Sequence, residues 1–124
     1  MSLILIVEDN EKNLKLVRDV LQVKGYETVD AGSAEDGLVL ARDRKPDLVL
    51  MDIQLPGMNG IDALKALRAD PATAGIPVVA ITASVMQTDR QMIVGAGFDG
   101  FIEKPVNLKN LLETVQRAVQ KGRP

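Results

Sequence analysis

Leu3–Asn10 reads LILIVEDN. Five successive apolar residues leave no polar side to turn toward water, so the run is expected to be a strand covered on both faces. That is the situation of a strand inside a parallel sheet with helices above and below it. Two carboxylates follow, then Asn10, a good helix N-cap. Behind Asn10 the apolar residues Leu14, Val17 and Leu21 recur at i, i+3 and i+7, and Gly25 closes the helix. The stretch is therefore a strand, an acidic turn and a helix, one half of a βαβ crossover.

The same unit recurs outward along the chain. Leu48–Met51, Val78–Ile81 and the shorter Phe101–Ile102 are again continuous apolar runs. Tyr26–Ala31 alternates instead, with Val29 and Ala31 on one side and Thr28 and Asp30 on the other, which suits an edge strand. Ser33, with Asp36 three residues on, starts a second helix that carries Leu38 and Ala41 and ends before Pro46. A third presents Ile61, Leu64 and Leu67 and stops at Asp70-Pro71. A fourth, roughly Ser84–Gly95, is poorly patterned, with Val85, Met86, Met92 and Ile93 flanking a polar middle. A fifth runs from about Leu108 with Leu111, Leu112, Val115 and Val119 as its inner stripe. The order (βα)₅ predicts an α/β fold with right-handed crossovers onto a doubly wound parallel sheet. The edge character of the second strand selects the flavodoxin-like order 2-1-3-4-5.

Composition narrows the chemistry. The chain has 124 residues, which makes one domain, expected to span 1–124 without an effector domain. Hydrophobic residues make up 46% of it, but the only aromatics are Tyr26, Phe98 and Phe101, so the core is aliphatic and a base-stacking platform lacks its side chains. With no Cys there is no disulfide framework or thiolate metal site, which fits a cytoplasmic location. With no His, imidazole-ligated metals and Ser-His or Cys-His nucleophile pairs are excluded. No apolar run approaches a membrane span, and a net charge of −2 argues against nucleic acid as a direct partner. What remains is carboxylate, hydroxyl and lysine chemistry.

Ligands of open α/β sheets bind outside the carboxyl ends of the strands, near the point where strand order reverses. Here the first strand ends in Glu8-Asp9, the third in Asp52, the fourth in Thr82 and the fifth in Lys104-Pro105. Neighbouring strands lie about 4.8 Å apart, so Asp9 and Asp52 become adjacent. Three carboxylates in one cleft repel and are each easier to protonate, a cost that a hard divalent cation relieves; an oxygen-only donor set describes Mg²⁺. Lys104 has the reach to return toward Asp52, and Thr82 offers a hydroxyl. A cation, an ammonium and a hydroxyl around one carboxylate are what phosphoryl transfer to that carboxylate requires. Each feature also has a plain structural reading as a helix cap or turn; their coincidence on one side of one sheet favours the chemical one.

VEDN (Val7–Asn10), LMDIQLPGMNG (Leu50–Gly60), AITA (Ala80–Ala83) and EKP (Glu103–Pro105) together resemble the receiver domain of two-component response regulators, over essentially the whole chain. Within that family the sequence resembles single-domain regulators of the DivK type and, similarly, receivers attached to hybrid histidine kinases. The resemblance implies that Asp52 is the phospho-acceptor, served by a histidine kinase or histidine phosphotransfer protein. It implies that Asp9, Asp52 and the backbone carbonyl of Gln54 coordinate Mg²⁺, with Glu8 acting through water. Lys104 is implied to pair with the phosphoryl oxygens, Thr82 and Phe101 to act as the switch, and the Lys104–Pro105 bond to be cis. Gln54 and Ser84 flank the pocket and are expected to tune the lifetime of the phosphoryl group. Output is expected through protein contacts on the face of the fourth helix, fifth strand and fifth helix, where Met86 and Phe101 are expected to be exposed. No catalytic turnover beyond self-phosphorylation and slow self-dephosphorylation is expected. The alternatives are a receiver module cut from a hybrid histidine kinase or longer regulator, and a Mg²⁺-dependent aspartate phosphatase. The latter resembles a DxD arrangement after the first strand, where this chain has EDN.

Overall fold

The computed structural model describes residues 2–55, 57–83, 91, 93 and 95–121. Five parallel strands form its centre: β1 (Leu3–Val7), β2 (Glu27–Ala31), β3 (Leu48–Asp52), β4 (Val78–Thr82) and β5 (Gly100–Glu103). Their order is β2-β1-β3-β4-β5, the order that the edge-like second strand favoured, and β1 sits beside β3 in the register Leu5 to Val49 and Val7 to Met51. Helices α1 (Glu11–Val23), α2 (Ala34–Arg44), α3 (Gly60–Ala69) and a C-terminal helix (Leu108–Lys121) connect and follow the strands.

The continuous apolar runs are explained by two cores, one on each face. Leu5, Val7, Val49, Met51, Val78 and Ala80 pack with Ala34, Ala41, Leu64 and Leu67 of α2 and α3. Ile4, Ile6, Leu48, Leu50, Val79 and Ile81 pack with Val17 and Leu21 of α1 and Leu111 and Val115 of the C-terminal helix. Successive strand residues thus enter opposite cores.

Local chemistry sets the helix ends. The Asn10 side chain accepts from the N–H groups of Lys12 and Asn13, and the Ser33 hydroxyl accepts from Asp36 N–H. Gly25, at φ 92°, takes the left-handed conformation just past α1 that glycine adopts without a Cβ penalty. Of the expected fourth helix, Gln91, Ile93, Gly95 and Ala96 are helical, and Ser84, Val85, Met86 and Met92 lie outside the described residues. Phe101 corrects one expectation: it is half-buried rather than exposed, because its ring packs against the core that α2 and α3 cover. No helix among the described residues is long and apolar enough to cross a membrane.

Candidate functional site

Four of the five strands deliver polar residues to the same, carboxyl-terminal end of the sheet. Ending at Val7, β1 presents Glu8 and Asp9; β3 ends in Asp52, β4 in Thr82, and Lys104 follows β5 directly. Backbone bonds around β4 hold the flanking turns in place. Ile53 N–H donates to the Ile81 carbonyl at 3.1 Å and Lys104 N–H to the Thr82 carbonyl at 2.8 Å, while Glu8 N–H donates to Ala31 O at 3.0 Å. The Lys104–Pro105 peptide bond is cis.

Asp52 is 2% exposed, and each of its carboxylate oxygens has its own donor. Gln54 N–H donates to Oδ1 at 2.9 Å, and Lys104 Nζ donates to Oδ2 at 3.0 Å. The same ammonium lies 3.0 Å from Glu8 Oε1. Glu8 is buried, Asp9 is exposed, and carboxylate oxygens of Glu8, Asp9 and Asp52 lie within 4.8 Å of one another. Thr82 is buried beside them at the end of β4, and the Gln54 side chain is exposed.

The electrostatics follow from this crowding. Burial, and then the neighbouring Asp52 carboxylate, push the Glu8 carboxyl up to about 7, against the opposing pull of Lys104. For Lys104 burial works against the charge, but the hydrogen bonds to Asp52 and Glu8 outweigh it and hold the ammonium above the ordinary lysine value. Glu8 and Asp52 share the Lys104 ammonium and Asp9 adds a third carboxylate to the cluster, which thus has anionic charge to spare and only hard oxygen donors. That donor chemistry fits Mg²⁺ and does not fit a soft metal.

The structure therefore brings together Glu8, Asp9, Asp52, Thr82 and Lys104, while Phe101 stands lower on β5, paired in register with Ala80. Two contributors were missed in the sequence. One is the Gln54 N–H on Asp52; the other is Gly60, which abuts the Asp52 backbone. Both belong to the quoted stretch LMDIQLPGMNG (Leu50–Gly60), but the amide bond to the carboxylate and the close backbone approach depend on distances that the sequence does not contain.

Residues 4–116 match the family model of the response regulator receiver domain, and the chain belongs to that family. Receiver domains are signalling switches that take phosphoryl groups from histidine kinases and act on output partners. The chain is 43% identical over 113 residues to the polar-differentiation response regulator DivK of Brucella ovis, covering 91% of this chain and 92% of that protein. In structure it is similar to the chemotaxis protein CheY4 of Vibrio cholerae, with TM-score 0.88 and 29% identity over 94% of this chain and 98% of the other. It is also similar to the receiver domain of a sensor histidine kinase from Pseudomonas aeruginosa PAO1, which has a magnesium ion coordinated in its active-site cleft. That match has TM-score 0.89 and 29% identity, covering 96% of this chain and 98% of the other.

Proposed function

We propose that Asp52 accepts a phosphoryl group from a phosphohistidine on a histidine kinase or histidine phosphotransfer protein. The observation that carries this reading is the asymmetric hold on the Asp52 carboxylate, with the Gln54 amide on one oxygen and Lys104 on the other. A nucleophile fixed in this way loses little orientational freedom on reacting. An Asp52 oxygen attacks phosphorus, the phosphorus–nitrogen bond breaks, and its electron pair returns to the donor imidazole. None of the 124 residues is His, so the donor histidine lies outside them.

Lys104 is already seated against Asp52 and would transfer part of its interaction to the phosphoryl oxygens as charge develops there. Thr82, buried at the adjacent strand end, would donate its hydroxyl to one of them. Asp9, Asp52 and the Gln54 carbonyl would hold Mg²⁺, with Glu8 reaching it through water. When bound, the ion supplies positive charge to the transferring group. Movement of Thr82, followed by Phe101, would carry the change to the face formed by the segment before β5, β5 itself and the C-terminal helix, where a protein partner is recognised. In this reading the protein works in the cytoplasm as a switch and binds neither nucleic acid nor membrane.

Incubation with Mg²⁺ and a small acyl-phosphate donor, followed by intact mass measurement, tests the reading. Wild type should gain one phosphoryl adduct and Asp52→Ala none. A wild-type chain left unmodified with the metal present would overturn it.

A further inference from the structure

We infer that Gly60 is a positioning residue for the acceptor site: its missing side chain lets α3 start against the backbone of Asp52 and Ile53, and that contact sets the Gln54 amide on the carboxylate. The inference rests on the reading of Asp52 and its neighbours given above.

A Cβ built on Gly60 would lie 2.7 Å from the Asp52 carbonyl oxygen, 2.7 Å from Ile53 Cα and 3.2 Å from the Asp52 carbonyl carbon. All three are backbone atoms, so no side chain can rotate away. At Gly37 the corresponding Cβ would meet Val7 Cγ2 at 2.7 Å, but that obstacle is the tip of a side chain. Gly60, unlike Gly57 at φ 77°, does not need a left-handed backbone. Space is what it supplies.

The turn has little freedom to give way harmlessly. On one side Gly60 N–H donates to the Ile53 carbonyl at 3.0 Å; on the other, Ile53 N–H donates to Ile81 O at 3.1 Å. Asn59 fixes the start of α3 by accepting from Asp62 N–H at 2.9 Å, and Leu64 and Leu67 seat the helix fully in the core. With α3 anchored, an added Cβ pushes the 52–54 backbone outward. The atoms displaced are those the site uses: the Gln54 N–H bonded to Asp52 Oδ1, and the Gln54 carbonyl assigned to the metal. Backbone partners that orient a metal-binding carboxylate act as supports outside the ligand set, whose loss weakens affinity by about 10–100-fold.

The test compares Gly60→Ala with Thr73→Val. Thr73 lies beyond the other end of α3, where its buried hydroxyl donates to the Leu67 carbonyl at 2.7 Å, so its loss costs stability far from the site. Mg²⁺ affinity is read from amide shifts in NMR titrations, and the Gln54 amide from its hydrogen exchange. For Gly60→Ala we expect Mg²⁺ binding weakened by about tenfold or more, with faster Gln54 exchange. Thr73→Val should melt earlier yet keep Mg²⁺ affinity within about twofold of wild type, since sites this far apart act independently. A folded Gly60→Ala that binds Mg²⁺ like wild type would overturn the inference. So would a Gly60→Ala chain that stays unfolded even with trimethylamine N-oxide, because the glycine would then be a folding requirement and not a positioning device. If wild type itself bound no Mg²⁺ and gained no adduct, the failure would lie in the reading of Asp52 instead.

Discussion

Glu8 holds a carboxylate where its charge is poorly tolerated. It is 3% exposed, with Asp52 beside it and a shared ammonium as its compensation, and its carboxyl rises to about 7. A folded-state pKa above the unfolded value means that the folded protein binds the extra proton. The associated stability is fully present below pH 4.5 and is lost as pH rises through about 7. The metal-free protein should therefore lose stability between pH 5 and 8, on the order of 2 kcal/mol, in urea unfolding. Saturating Mg²⁺, which favours the charged form, should remove the decline, and Glu8→Gln should flatten it without metal. An unchanged slope in Glu8→Gln would show that other groups produce it. Asp19 is held below the usual carboxylate range by Lys15, and Asp70 by the Ala72 N–H and Arg42; both titrate below this window. The sequence shows that these carboxylates cluster and that some would protonate easily. It does not show which of Glu8 and Asp9 is buried. The two are adjacent in the chain, but β1 stops at Val7, and the direction of the turn buries one and exposes the other.

At the scale of elements, what was legible came from local rules. Asn10 and Ser33 cap α1 and α2 because a side-chain acceptor two or three residues ahead of free N–H groups is a local arrangement. The edge position of β2 was readable because alternation records which face meets water. The stop of α3 at Asp70-Pro71 was readable too, but the contacts made at that end were not. There Arg68 donates to the Ala74 and Ile76 carbonyls at 3.3 and 2.7 Å and to Asp99 at 3.0 Å, while Asp99 also accepts Val78 N–H at 2.8 Å. These partners are up to 31 positions apart, and only the packed sheet brings them together. One guanidinium thus ties α3 to the turn before β4 and to the foot of β5. Arg42 makes a single pair with Asp70 at 2.9 Å, but its side chain is 64% exposed against 19% for Arg68. Solvent screening therefore separates the two. Arg68→Ala should cost about 2 kcal/mol in chemical denaturation, because it takes the donor from two carbonyls and the cation from the Asp99 carboxylate. Arg42→Ala should stay within about 0.5 kcal/mol. Equal losses would mean that the Arg68 network is no more than a surface ion pair.

Over the whole molecule the two edges of the sheet do different work. At the carboxyl end, like charges crowd around Asp52. At the opposite end, acids tie strands together, as where Asp47 Oδ2 accepts Leu3 N–H at 2.8 Å. A five-residue strand separates these ends by about 17 Å, beyond the range at which substitutions usually couple. Asp9→Asn removes one member of the crowded cluster and should raise metal-free stability by about 0.5–1 kcal/mol while abolishing the stabilisation given by Mg²⁺; sites shaped for function commonly cost stability in this way. Asp47→Ala removes a hydrogen bond of ordinary kind and should lower stability by about 1 kcal/mol, leaving the response to Mg²⁺ intact. The double variant should equal the sum of the two within about 0.5 kcal/mol. A coupling well above that would mean that charge at the acceptor end is felt through the sheet to its foot. The switch would then involve the strands themselves, and not only the turns and side chains that crown them.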